Sequence, residues 1–452
     1  MAEPLKELRV RATTLHQEGK LSEAAPLYAS YLARRPKDAR MWSNLGALHR
    51  KAKRYEQALR AQQRAYVLDP EDVGTQNNYA NILSDLGRYD ASIKVRRDVL
   101  DSDPDALNHL AMIGRCLRGK GDYEAAIAHL NNAIKTHPED PELRMQLAFA
   151  QLGAGRYRAG FESYRARWQA GELTPRNLPY PKWEGQDPTG KTILVMPEQG
   201  FGDAVLFARF IPILKGLGAK VHVLVEKPLI ALFDGLDGAD WTGPSVGPDN
   251  GIDYYIDMMD LAELHFETER KIPAPTKLSV AQDNIDRARS ITDPFKDTFK
   301  VGVIWTGSVT YKGNAFRSFS HTDYLPLTEI EGVQLFSLYK GPMLEPYFED
   351  GSSAFIVDAG STERGFADTA ATMKEMDLVI TSDTATAHIA GSLGVPTWTI
   401  LHWDAFWVWR HSGDTTEWYP DMRLFRQESP MDWAGVHKKV KDALIAHMKD
   451  RK

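Results

Sequence analysis

Pro36, Pro70, Pro104 and Pro138 stand 34 residues apart, and a spacing that strict leaves the first third of the chain few ways to fold. Gly19, Lys53, Gly87, Gly121 and Gly155 keep the same step. Two residues after each come Leu21, Tyr55, Tyr89, Tyr123 and Tyr157, followed by Ala24, Ala58, Ser92, Ala126 and Gly160. Each class of position has a mechanical reason. A small residue lets two helices approach closely, an aromatic ring fills the groove between them, and proline ends the second helix before the next unit begins.

The period and pattern are those of the tetratricopeptide repeat (TPR). "GRYDASIKVRRDVLDSDP" and "GDYEAAIAHLNNAIKTHP" both place apolar residues at helical spacing, so stacked units bury a continuous core and leave a concave face suited to protein segments. About four repeats are counted, with a terminal helix through "YRAGFESYRARW", and the solenoid is assigned to residues 1–170. The repeat tyrosines and the single cysteine, Cys116, are read as packing residues. The acidic "DSDPD" at 101–105 falls at an inter-repeat turn and reads as capping carboxylates rather than a metal triplet.

Residues 171–191, "GELTPRNLPYPKWEGQDPTGK", are dense in proline and glycine and read as a linker. Beyond it short apolar runs alternate with helical stretches: "TILVM", "VHVLV" and "DYYIDM", then, after a charged helix near 281–290, "VGVIW", "VQLFSL", "AFIVDA", "LVITS" and "TWTILH". The alternation predicts α/β architecture with two Rossmann-like halves, residues 192–290 and 298–452, meeting at a cleft. The first half is short for such a unit, which leaves one face for the last repeat helices to cover.

Composition narrows the function. With 452 residues, 43% hydrophobic, 26% charged and a formal net charge of -6, the chain is that of a folded multidomain protein without a global pull toward nucleic acid. The opening "MAEPLKELRV" has no signal-peptide apolar core and no run of 18 apolar residues occurs, so a cytoplasmic protein without a membrane span is expected. One cysteine excludes an internal disulfide and a cysteine-based metal site.

Four stretches could carry chemistry. In "VMPEQGFGDAVLFARF" (195–210) a strand turns through Gln199, Gly200 and Gly202 into a helix, with Asp203 either the helix N-cap or a catalytic carboxylate. The same "GFGDAV", with Glu226 after the next strand, loosely matches a nicotinamide-dinucleotide fingerprint, with Val205 where the third glycine belongs. In "TSDTATAHIAGSLGVP" (381–396) a strand ends at Ser382, and Asp383 and Thr384 begin a slim helix suited to phosphate; the bland alternative is a simple cap. His388, one turn in, reads first as a buried, hydrogen-bonded histidine. In "VIWTGSVTYKGNAFRSFS" (303–320), Thr306 and Gly307 end a strand, and Lys312 and Arg317 either neutralise a diphosphate or belong to a solvated basic loop. The aromatics of 402–427 are read mostly as core, with stacking on a sugar or base as the alternative.

"EQGFGD", "VGVIWTGS", "FADTAATMKEMDLVITSDTATAHIAGSLGVPTW" and "WYPDMRLFRQ" together resemble the bacterial TPR-containing glycosyltransferases, whose catalytic half is similar to the lipopolysaccharide heptosyltransferases. The resemblance spans essentially the whole chain and implies a GT-B type two-domain transferase behind the repeats. It implies Asp203 as base and Asp383 and Thr384 lining the donor phosphates, with Lys312 as an additional phosphate contact; Ser382, His388, Arg317, Thr306 and Gly307 are placed with them as donor-side candidates, and Gln199, Gly200 and Gly202 in the loop near acceptor and donor. The family's loop after the tryptophan strand often carries a basic, asparagine-containing run, and here it reads "SVTYKGNAFRS". The chain does not resemble the O-GlcNAc transferases, which share the layout but not the donor motifs. The implied activity is inverting, metal-independent transfer of a sugar from a nucleotide-sugar, with no cofactor, to a protein acceptor held by the repeats. Flagellin is one precedent among such relatives, with nonulosonic acids as donors. The competing expectations are a TPR interaction scaffold carrying a degenerate transferase module and, third, an NAD-dependent oxidoreductase.

Overall fold

The computed structural model describes residues 3–171, 173–198, 200–246 and 251–450. The chain divides into two compact units, residues up to Ala150 and residues from Gln151.

The first unit is helical. Helices α1 (Leu5–Gln17) and α2 (Leu21–Arg34), α3 (Ala39–Lys51) and α4 (Tyr55–Leu68), α5 (Val73–Asp85) and α6 (Tyr89–Ser102), and α7 (Leu107–Gly119) and α8 (Tyr123–Thr136) form successive pairs; α9 (Pro141–Gly153) opens a fifth. The repeating glycine ends the first helix of each pair. Gly19, Gly87, Gly121 and Gly155 all have φ between +68° and +80°, and the amide one residue on reaches back to close the helix, as Lys20 N–H does to Leu15 O at 2.9 Å. Lys53 occupies the same position at φ 59°, the one repeat that holds a side chain in the left-handed region. Close approach falls instead to Ala24, Ala58, Ser92 and Ala126, all fully buried.

The second unit begins with the end of α9 and with α10 (Tyr157–Tyr164). Next come β1 (Thr192–Met196), α11 (Phe201–Phe207), α12 (Pro212–Gly216), β2 (Lys220–Leu224), β3 (Trp241–Gly243), β4 (Tyr254–Asp257), α13 (Asp260–Thr268) and α14 (Gln282–Thr292). The chain continues through β5 (Phe299–Ile304), β6 (Val333–Ser337), α15 (Leu344–Glu349), β7 (Ile356–Asp358), α16 (Phe366–Lys374) and β8 (Leu378–Ser382). It ends with α17 (Ala385–Leu393), β9 (Thr397–Leu401), β10 (Met422–Arg426) and α18 (Trp433–Lys449).

Two parallel sheets result, in the orders β3-β2-β1-β4 and β10-β9-β8-β5-β6-β7. Counted from its own first strand, the larger follows the doubly wound order 3-2-1-4-5-6 and reverses direction between β5 and β8; the smaller reverses between β1 and β4. Strands β1, β8 and β9 are buried along their whole length, as strands covered on both faces must be.

Three boundaries differ from the sequence reading, each because packing overrides composition. Helix α10 keeps the repeat pattern but is built into the α/β unit, where Tyr157 stacks on Phe266 at 4.9 Å and Phe161 meets Phe207 at 6.0 Å. The proline-rich "PYPKW" is no free linker: Lys182 pairs with Tyr255 alongside β4, and Trp183 N–H donates to Tyr255 O. Helix α14 belongs with the larger sheet, since Asn284 donates to Asp368 on α16 at 2.7 Å. The aromatics of 402–427 are chiefly core, with Trp407, Trp409, Trp418 and Tyr419 all buried. No helix among the described residues is long and apolar enough to cross a membrane.

Candidate functional site

Both sheets turn back on themselves at their carboxyl edges, where open α/β sheets present ligand crevices. Beyond β5 and β8 lie "WTGS" and "SDT". Gly307 is tightly enclosed: a Cβ there would sit 2.8 Å from Thr384 Cγ2, 3.1 Å from Arg317 Nη2 and 3.2 Å from Asn314 Oδ1. The two segments singled out in the sequence therefore converge at the reversal of the larger sheet.

The smaller half delivers the third. A Cβ on Gly202 would lie 3.0 Å from His388 Cδ2 and 3.2 Å from Ala385 Cα, so α11 is seated directly against the first turn of α17. Glycine at 202 thus admits a helix rather than a ligand. The N-cap of α11 is Gly200, and Asp203 is the third helical residue, its carboxylate accepting from the Gly200 N–H. The N-cap reading of Asp203 is corrected accordingly. Gln199 lies outside the described residues.

Asp203 retains partial exposure, yet burial pushes its carboxyl up to about 7; the Gly200 N–H opposes this, Asp383 raises it further and Arg317 lowers it. Asp383 is buried and also raised, by burial first, with Arg317 opposing. Neither aspartate makes an ion pair among the described residues. Two carboxyls from different halves thus share one neighbourhood in which the Arg317 guanidinium acts on both and Arg426 on Asp383 alone. Arg317 is half-buried on the ring of Tyr311, 4.5 Å from its centroid.

Thr384, not Asp383, is the N-cap of α17, and its hydroxyl serves no cap bond. It bonds Thr386 Oγ1 at 2.6 Å, which in turn meets Thr381 Oγ1 at 2.8 Å. Ser382 Oγ is fully buried and has no partner among the described residues. His388 is buried beneath the helix end: Nδ1 lies 3.2 Å from Tyr419 Oη, and the ring stacks on Trp409 at 5.2 Å. Burial, then Arg209 and Arg317, push it down to about 3, so it is neutral at physiological pH and acts as packing.

Other expected contacts point inward. Asn314 ties the loop after β5 together, donating to Thr306 Oγ1 at 2.9 Å and accepting from the Gly307 N–H at 3.2 Å. Thr306 and Gly307 thereby hold the loop's shape. Lys312 stands exposed on its turn, and among the described residues no ion pair joins it to the site. Val205, at the third glycine position of the dinucleotide pattern, is fully buried, and α17 rather than open space faces the start of α11.

A second cluster went unread. At the reversal of the smaller sheet Arg167 forks onto Glu198 at 2.7 and 3.0 Å and reaches Asp260 at 2.6 Å. Lys182 bridges Asp257 and Asp260, and Arg176 pairs with Asp257 at 3.3 Å. Burial disfavours the Asp260 carboxylate, but Arg167 and Lys182 outweigh it and hold the carboxyl below its usual range, whereas at Glu198 burial wins over Arg167 and the carboxyl is raised. The only sequence signal was a carboxylate just after each of the two strands.

Fold and site together define a class: tetratricopeptide repeats followed by an α/β unit of parallel sheets. The family model described as the Cytochrome c-type biogenesis protein H TPR domain matches residues 29–144. Over 456 residues the chain is 26% identical to Protein FlbA of Caulobacter vibrioides, covering 93% of this chain and 75% of that protein. Among solved structures, the MamA RS-1 ArsTM double mutant matches at 16% identity over 38% of this chain and 97% of its own, with a TM-score of 0.34. MamA 41-end from Desulfovibrio magneticus RS-1 matches at 16% identity over 38% and 96%, with a TM-score of 0.33.

Proposed function

We propose that the α/β unit is a GT-B type, nucleotide-sugar-dependent inverting glycosyltransferase and that the repeats recruit its protein acceptor, flagellin being one candidate class. The observation that carries this reading is the meeting of Asp203 with Asp383, Thr384 and Arg317 at the reversal of a doubly wound sheet. A partly accessible carboxyl titrating near neutrality is suited to general-base work. Asp203 takes a proton from the acceptor nucleophile, whose lone pair forms the new bond to the anomeric carbon. The bond from that carbon to the donor phosphate breaks on the opposite face, inverting the configuration. The electron pair leaves with the nucleotide phosphate, whose charge falls on the start of α17 and on Arg317.

Asp203→Asn tests the assignment. Turnover should drop by about 100-fold or more while the thermal shift produced by the donor nucleotide persists, since general-base catalysis supplies ~10²–10⁴-fold. Equal turnover in a folded variant returns Asp203 to a structural role. Transfer should also survive EDTA; loss in chelator with recovery on magnesium or manganese removes the metal-independent mechanism.

The second reading, an interaction scaffold with a degenerate transferase module, draws support from the close seating of α11 on α17, which leaves no room at Gly202 for a ligand. Absence of any nucleotide-dependent thermal shift would favour it.

A further inference from the structure

Arg410 follows the single helical turn Trp407–Trp409 with φ 62° and ψ 179°, a combination that belongs almost wholly to glycine. A side chain is kept there because both of its ends are pinned. On the backbone side Arg426 donates to the carbonyls of Trp409, Arg410 and Gly413. On the side-chain side Nη1 donates to Gly153 O at 3.1 Å, in the last turn of α9, and Nη2 to Glu417 Oε2 at 2.9 Å. The Tyr157 hydroxyl donates to the same Glu417 oxygen at 3.1 Å and accepts from Trp418 Nε1–H at 3.1 Å, while the guanidinium lies 5.6 Å from the centre of the Tyr157 ring. A Cβ on Gly155 would sit 2.5 Å from Arg410 Nη2, so this repeat glycine makes room for a cation, whereas Gly19 meets nothing within 4 Å.

What the pinned segment faces is Asp383. The Trp409 ring is fully buried against His388, and its indole N–H finds no acceptor within hydrogen-bond geometry among the described residues. Burial raises the Asp383 carboxyl; Arg317 opposes this most, followed by the Trp409 indole N–H, the Phe406 backbone N–H and Arg426. Apart from Arg317, these groups belong to residues 406–410 or grip them. Asp203 faces the same carboxyl from α11.

We propose that Arg410 is a positioning residue: held by the last turn of α9 and by Glu417, it fixes the stretch 406–410 so that Phe406 and Trp409 present their N–H groups to Asp383. Backbone strain of this kind persists only where the surroundings over-determine it, and it gathers at functional sites. Glycine at 410 would remove the strain and lose the reach to Gly153 and Glu417. A turn of the repeat pattern thereby shapes the candidate site itself. That Asp383 faces a donor phosphate rests on the transferase reading; the link from Arg410 to Asp383 does not.

The test is urea denaturation of the full chain at pH 5 and pH 9, followed by tryptophan fluorescence, which reports the α/β unit because every tryptophan except Trp42 lies in it. The folded Asp383 carboxyl is raised above its unfolded value, so it holds its proton more tightly folded than unfolded and stability falls as pH rises through that window. Arg410→Gly relieves the backbone and releases Phe406 and Trp409. With fewer donors opposing burial the carboxyl rises further, and between pH 5 and pH 9 the urea midpoint should fall by roughly 0.3–0.5 M more than in the parent, the equivalent of about one pKa unit. In an Asp383→Asn background this extra fall should vanish. An equal shift at both pH values makes Arg410 a structural brace and overturns the proposal, as does an extra fall that survives in Asp383→Asn. If Asp383→Asn does not fold, Trp409→Phe decides: it removes the indole N–H and keeps a ring on His388, so its pH-dependent loss should overlap with that of Arg410→Gly, and strict additivity overturns the link. Nucleotide thermal shifts on the same preparations report on the transferase reading separately: their absence removes that reading and leaves the link to be decided by the urea midpoints.

Discussion

The two sheet reversals of the α/β unit use the same architecture and differ in how their carboxylates are paired. At the smaller sheet Glu198, Asp257 and Asp260 lie at the carboxyl edge, and Arg167, Arg176 and Lys182 pair with them. At the larger sheet Asp203 and Asp383 come together without an ion pair among the described residues, and both carboxyls are displaced upward. The residues after α10 supply the first crevice with paired cations, whereas at the second Arg317 acts on both aspartates, and Arg426 on Asp383, without an ion pair among the described residues. Burial raises a carboxyl in both places, and ion pairs are what distinguish them: they hold the first cluster in place, whereas Asp203, partly exposed and without one among the described residues, is suited to the proposed proton transfer.

The largest effect is expected where pairing is complete. Arg167→Met strands Glu198 and Asp260 in a buried site and should cost about 3–5 kcal/mol in urea denaturation at neutral pH, the usual result of removing one partner of a buried pair. A loss below about 1 kcal/mol would show that water reaches the cluster and that the two crevices do not differ as argued.

Asp203→Asn should do the opposite. Asp203 binds its proton more tightly folded, near 7, than unfolded, near 3.8, so the folded state holds more protons between those values and stability falls as pH rises through that window. The raised carboxyl of Asp383 acts in the same direction. At pH 8 the asparagine variant should therefore be more stable than the parent, by at most about 4 kcal/mol and less to the extent that solvent reaches the side chain, with the gain vanishing near pH 4. Parent and variant melting together at both pH values would place Asp203 among ordinary solvated carboxylates.

Much of this was legible in the chain, and its limits are physical. The 34-residue step located the helix pairs because each repeat imposes the same left-handed residue and the same buried small residue. The long apolar strands were readable, whereas Trp241–Gly243 is only three residues long and Met422–Arg426 lies hidden at the end of an aromatic run. Asp203, Asp383 and Thr384 stood out as strand-to-helix transitions, but their convergence did not, because it depends on Gly202 admitting Ala385 from 183 positions away. The ion-pair cluster was invisible for the same reason: Arg167 comes from the repeat pattern and Lys182 from a segment that reads as a linker. Local pattern specifies elements, while tertiary charge balance is a property of residues far apart in sequence.

The smallest expected effect is also the most discriminating, because it probes the cation common to both aspartates. Arg317 lowers the carboxyls of Asp203 and Asp383, and its removal in Arg317→Met should raise both. For a base that must be ionised, the rising limb of the pH profile of kcat/KM, centred near 7 in the parent, should move to higher pH by up to about one unit. Assayed at pH 7 the variant would then lose several-fold, and at pH 9 tuning alone would restore it. A loss that persists at pH 9 means that Arg317 also contacts the departing phosphate, since that contribution does not depend on the protonation of Asp203. An unmoved profile at full activity would return Arg317 to a solvated loop stacked on Tyr311, leaving α17 alone to receive the leaving-group charge.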